Sequence, residues 1–199
     1  MRNPPRRRPV HRAVLTAAVL FLAGTLSGCL AASVPPNTAS PVAKATAAPA
    51  PAEAPPIFAS NDEALAAATS FYSSYQAMAN TISHEGGVEP QRITPFVTSE
   101  MLSGEIASFQ RLAENGVHLV GDLGFDSMKI QSVNLSQGSL VIYMCLDVSA
   151  TDVIDVTGLS TVPPNRVSRH PLEVALVQDP TASRLLLERS EIWTGANFC

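Results

Sequence analysis

From the N-terminus, the apolar positions of this 199-residue chain pass through four successive patterns. Residues 13–29 form a run of apolar and small residues behind an arginine-rich start (Arg2, Arg6, Arg7, Arg8, Arg12) that holds no acidic residue. A basic start, an apolar middle and a small-residue end make the layout of a secretory leader. The run is too short to span a bilayer, which takes about 20 apolar residues. Residues 30–56 then carry almost only Ala, Pro, Ser, Thr and Val, with prolines at 35, 36, 41, 49, 51, 55 and 56. Such a stretch cannot bury enough apolar surface to offset the entropy of ordering, and it reads as a tether rising about 3.1 Å per residue where it adopts polyproline II.

A helical period begins after Ile57. Ser60-Asn61-Asp62-Glu63 predicts a capping box, and Leu65, Ala68, Tyr72, Tyr75, Ala79 and Ile82 fall on one helical face that Gly86-Gly87 terminates. A short helical turn over 89–93, broken by Pro95, leads to a third helix capped by Thr98, with a stripe of Leu102, Ile106, Phe109 and Ala113 and a stop at Asn115-Gly116. Beyond Gly116 the period drops to two. Strands are predicted at 117–120, 125–133, 139–149, 166–178 and 184–194, with a small hairpin of 153–156 and 159–162 around Thr157-Gly158. The 139–149 strand places Leu140, Ile142, Met144, Leu146 and Val148 on one face and Tyr143, Cys145 and Asp147 on the other. Both faces are largely apolar, as in a central strand covered on each side. Helices followed by antiparallel strands make residues 57–199 an α+β domain, its N-terminal helices packed on one face of a curved sheet.

Charge narrows the partners. The chain carries 13 basic and 17 acidic residues; without the five leader arginines the balance is 8 against 17, a net charge of minus nine. Nucleic acid phosphates and anionic headgroups repel such a surface, which excludes nucleic-acid binding and any basic membrane patch. Of the three cysteines, Cys29 closes the leader, and an even pair, Cys145 and Cys199, remains in an oxidising compartment. A Cys145–Cys199 disulfide is expected, fastening residue 199 to the predicted central strand.

Two resemblances sharpen this. Leu26-Ser27-Gly28-Cys29 resembles the lipobox of bacterial lipoproteins, which implies a diacylglyceryl group on Cys29, cleavage after residue 28, and an extracytoplasmic protein anchored in the cell membrane by lipid. Two acyl chains suffice for stable anchoring, since each buried methylene contributes about 0.8 kcal/mol. The element order of residues 57–199 resembles the cone of nuclear transport factor 2 (NTF2) and the SnoaL-like polyketide cyclases. The stretches Asp62-Glu63-Ala64-Leu65-Ala66-Ala67-Ala68, Tyr143-Met144-Cys145-Leu146-Asp147-Val148-Ser149 and Trp193-Thr194-Gly195-Ala196-Asn197-Phe198-Cys199 are similar to uncharacterised lipoproteins of high-GC Gram-positive bacteria, a family that brings no established activity.

SnoaL-like enzymes imply an acid/base pair inside the cone. The candidates for its cavity are Tyr72, Tyr75, Tyr143 and Asp147, the last two sharing a strand face, with His170 expected at the surface before Pro171. Asp147 sits near a strand end, where turn-capping carboxylates are common, and tyrosines at helical spacing are more often core than ligand contacts. Asp147, Asp152 and Asp155 lack the alternating ligands and bidentate Glu of a calcium loop, and turn chemistry accounts for them. No nucleophile elbow, phosphate loop or metal-ligating His pair occurs, and neither a cofactor nor a metal is expected. The sequence thus points to a lipid-anchored, non-catalytic domain binding a protein partner or a small apolar ligand. The alternative is a SnoaL-like isomerase, cyclase or hydrolase of small apolar molecules, and the cone resemblance implies a homodimer through the exposed sheet face.

Overall fold

The computed structural model describes residues 55–199. The predicted leader, Cys29 and the predicted tether up to residue 54 lie outside them. Helix α1, Asn61–His84, starts at Ser60, whose Oγ accepts from the Glu63 amide at 3.1 Å while Glu63 Oε2 accepts from the Ala59 amide at 2.6 Å. Its buried stripe is Ala64, Ala68, Tyr72, Tyr75, Ala79 and Ile82; Leu65, expected on that face, is only half-buried. Gly87 closes the helix at a φ of 83°, and a Cβ there would lie 2.1 Å from the Phe109 carbonyl oxygen. Only glycine fits both the left-handed backbone and this approach of the two helices.

A 3₁₀ segment, Pro90–Phe96, follows and runs on through Pro95 rather than breaking there. Proline's fixed φ suits the helical region, and only its own amide bond is given up. Helix α2, Ser99–Glu114, starts after Thr98, but the Thr98 hydroxyl makes no capping bond and is buried without a partner. The Thr98 amide instead donates to the Leu187 carbonyl at 3.0 Å, so α2 is fixed by docking on a strand. Phe109 is buried, Leu102, Ile106 and Leu112 are half-buried, and Ala113, expected in the stripe, is exposed.

Six strands follow: β1 Val117–Val120, β2 Gly124–Asn134, β3 Ser139–Asp147, β4 Asp152–Asp155, β5 Arg169–Gln178 and β6 Leu185–Ile192. The main sheet is antiparallel in the order β2-β3-β5-β6, with β3 and β5 central, and β1 and β4 form a separate pair. The expected hairpin after β4 forms as a short ladder. In its turn the Gly158 amide donates to the Asp155 carbonyl at 3.0 Å, and between the limbs the Asp155 amide donates to the Leu159 carbonyl at 2.9 Å and the Thr161 amide to the Val153 carbonyl at 2.8 Å, around the bridge of Ile154 to Ser160, while the other edge of β4 pairs with β1. Register shifts in β2 and at Ala175/Leu176 bend the main sheet, as bulges do.

Leu140, Ile142 and Met144 of β3, Leu172, Val174 and Leu176 of β5, and Leu187 of β6 are buried in one cluster with α1, Ile93 and Phe109. The opposite face of β3 is covered by the C-terminal segment. Trp193 and Phe198 lie against Tyr143, with ring centroids 5.2 and 5.9 Å away, and a disulfide joins Cys199 to Cys145, whose Cα atoms are 5.7 Å apart. The whole is the α+β arrangement of an NTF2-like cone, helices over one face of a curved antiparallel sheet. Among the described residues no helix is long and apolar enough to cross a membrane.

Candidate functional site

The core does not fill the space between α1, α2 and the sheet completely. At one end it leaves a cavity of about 270 Å³, lined along its floor by Leu146 of β3 and Leu172 of β5 and along its walls by Tyr72, Tyr75, Glu105 and Phe109. Ser108 and Ile192, both exposed, mark the side that meets solvent. Helical geometry explains the convergence. Tyr72, Tyr75 and Ala79 recur at three- and four-residue spacing on α1, and Glu105 and Phe109 are one turn apart on α2.

Tyr72 is 2% exposed and Tyr75 8%, their ring centroids 5.4 Å apart at 53°. The Tyr75 hydroxyl donates to Glu105 Oε2 at 3.1 Å, and the Tyr72 hydroxyl lies beside Ser190 of β6. Burial, reinforced by the nearby Glu105 charge, makes both phenols hold their protons well above the ordinary tyrosine range. Burial also raises the Glu105 carboxyl's affinity for its proton, and the bond from Tyr75 offsets this in part. Among the described residues no Lys, Arg or His lines the cavity. Along the neighbouring rim, Asn80 accepts from the Leu123 amide and donates to the Leu123 carbonyl, both at 3.1 Å, so a side chain takes the place of a strand partner and pins the β1–β2 connection to α1.

Tyr72 and Tyr75, expected in the cavity, line it. Tyr143 and Asp147 lie on the opposite sheet face and meet neither tyrosine there. Tyr143 is packed under Trp193 and Phe198, and residues of alternate parity on β3 face the helices. Asp147 Oδ1 accepts from the Ser149 amide at 2.8 Å and Oδ2 meets Arg169 Nη1 at 3.3 Å; Arg169 also holds Asp126 at 2.5 Å. The hydrogen bonds from Ser149, and then the Arg169 charge, hold the Asp147 carboxyl below the usual carboxylate range, which is the wrong direction for a general base near neutrality. His170, placed at the surface from sequence, is half-buried beside Leu146 in register. Asp152 and Asp155 close their turn: Asp155 Oδ1 accepts from the Thr157 and Leu159 amides at 2.8 and 3.0 Å, and Asp152 Oδ1 from the Ser160 hydroxyl at 2.7 Å.

No family model and no curated protein matches the chain. Among solved structures it is similar to the intermembrane space region of the chloroplast protein ARC6, with a TM-score of 0.47 and 11% identity, covering 64% of this chain and 95% of that one. A protein from Catenulispora acidiphila in complex with S-DNPA scores 0.44 at 16% identity, covering 64% and 92%. Aln2 from a Streptomyces species scores 0.41 at 15% identity, covering 64% and 87%. At these scores the likeness carries no weight for function, and the fold described above rests on the chain's own helices and strands.

Glu105 is the site residue that sequence reasoning missed, and a signal for it exists. It falls three residues after Leu102 and four before Phe109, a carboxylate interrupting an apolar helical stripe.

Proposed function

We propose that this is an extracytoplasmic domain, held at the membrane by lipid on Cys29 and by its Ala/Pro-rich tether, that binds a small, mainly apolar ligand in the cone cavity without transforming it. The observation that carries this is the unfilled end of the core. Leucines and aromatic rings form most of its wall, and a few polar groups converge there, the usual make-up of a small-molecule site. The proton chemistry supports the non-catalytic reading. Two tyrosines that grip their protons, with no imidazole or amine beside them, leave Glu105 as the one readily titrating group among the described residues of the cavity.

The test is calorimetric titration of the full chain with p-cresol, whose ring matches the apolar wall and whose hydroxyl can reach Glu105. Saturable binding that disappears in Leu172→Trp, where the indole fills the floor, is expected; binding unchanged by Leu172→Trp refutes the site. Anchoring is tested separately: Cys29→Ala is expected to move the protein from the membrane to the soluble fraction, and continued retention refutes the lipid.

One observation favours an isomerase or cyclase in the same cavity, namely the raised proton affinity of Glu105 beside the Tyr75 hydroxyl. In that reading Glu105 moves a proton and Tyr75 donates to the developing oxyanion. Turnover of a bound ketone with solvent deuterium exchange, lost in Glu105→Gln, would establish it over simple binding.

A further inference from the structure

We infer that the cavity is built to take a small organic cation, an alkyl- or arylammonium with an apolar body, at the Glu105 end; this rests on the ligand-binding reading above. Its lining holds one carboxylate and no basic side chain among the described residues, so an anionic ligand would meet uncompensated repulsion and a neutral one could answer Glu105 with no more than a hydrogen bond. The aromatic lining supplies what a cation needs besides a counter-charge. Tyr72 and Tyr75 meet at 53° as two walls of a corner, and Phe109 lines the same space from α2; behind them Phe125, outside the lining, packs edge-on against Tyr72 with centroids 4.9 Å apart. Ring faces attract cations, most strongly where water is excluded, and Tyr72, Tyr75 and Phe109 are all buried.

The bond from Tyr75 to Glu105 fits this role. It occupies Oε2 and orients the carboxylate from the α1 side, leaving Oε1 without a partner among the described residues. It also ties the carboxylate to the edge of one of the rings that would face the cation. The wider field agrees. Residues 55–199 carry 16 acidic and 7 basic residues, so a cation is drawn toward the domain before it reaches the cavity.

The test titrates the full chain with benzyltrimethylammonium, its neutral carbon isostere neopentylbenzene, and phenylacetate. The cation is expected to bind at least about tenfold more tightly than the isostere, with no binding of phenylacetate. Glu105→Gln is expected to lower the cation's affinity about tenfold and leave neopentylbenzene unchanged. Equal affinities for cation and isostere, or a preference that survives Glu105→Gln, overturns the cation inference and leaves the apolar-ligand reading standing. Failure of both compounds to bind overturns both. Should Glu105→Gln fail to fold, Tyr75→Phe keeps the ring and the carboxylate; it is expected to retain the preference for the cation, and its loss overturns the inference.

Discussion

Burial withholds water from the Glu105 carboxylate, and Tyr75 returns one hydrogen bond, so the folded chain holds that proton more tightly than the unfolded chain does. A group whose folded pKa is raised stabilises the fold fully below its unfolded pKa, and that contribution is lost as pH rises through the folded value. Glu105→Gln keeps an acceptor for Tyr75 and removes the titration. In urea denaturation the variant is therefore expected to gain stability relative to the parent as pH rises above about 4, the ordinary Glu range; a difference that stays flat would mean the carboxylate is fully solvated. Asp147 predicts the opposite kind of silence. Asp147→Asn is expected to leave cavity binding untouched, checked by the same p-cresol titration, because its partners Ser149 and Arg169 are on the other side of the sheet from the tyrosines. A third residue has no tolerance at all: Gly87→Ala combines a left-handed φ with a carbonyl collision and is expected to cost about 2 kcal/mol or more, read as a fall in the thermal midpoint. At this scale the sequence was partly legible. Gly86-Gly87 announced its turn and Tyr72 and Tyr75 their shared face. Thr98 looked like a cap, yet its hydroxyl is bypassed by a backbone bond to Leu187, a contact 89 positions away along the chain that no local pattern encodes.

Alternation along β3 shows which side chains share a face but not which face the helices cover. Leu140, Ile142 and Met144 on one side and Tyr143 and Cys145 on the other were both apolar enough to be inside, and both are covered, one by helices and one by the C-terminal strap of residues 193–199. That ambiguity put Tyr143 and Asp147 in the expected cavity. Pro171 makes a related point about β5. It stands opposite Cys145 in a central strand, where a missing amide is usually costly. Its carbonyl accepts from the Trp193 amide at 2.8 Å, and in an antiparallel strand a residue's carbonyl and nitrogen point to the same neighbour. The absent N–H therefore faces the end of β6, and no bond to β3 is lost. The strap itself rests on covalent closure across 54 residues. Cys199→Ser is expected to cost about 4 kcal/mol on the chain-entropy view, measured as a lower urea midpoint under oxidising conditions. An unchanged midpoint would mean that Trp193 and Phe198 hold the strap unaided.

Taken as one molecule, the domain keeps its two sheet faces for different work. The helical face holds the cavity, and the other is covered at Tyr143 and Cys145 by rings and a disulfide. The helices-then-strands order made the α+β class readable in advance. The division into a four-stranded sheet and a β1–β4 pair was not, because β4 pairs on one edge with the chain that follows it and on the other with a strand some 35 positions earlier, which no local pattern encodes. The strap also determines how this molecule can be watched. The chain has a single tryptophan, and it lies on the back of β3, with Tyr143 close enough to pass excitation to it. Its emission therefore reports on one face of one sheet: on reduction, tyrosine-sensitised fluorescence should fall as the strap lifts, while a ligand entering the cavity opposite leaves the signal dark to its arrival.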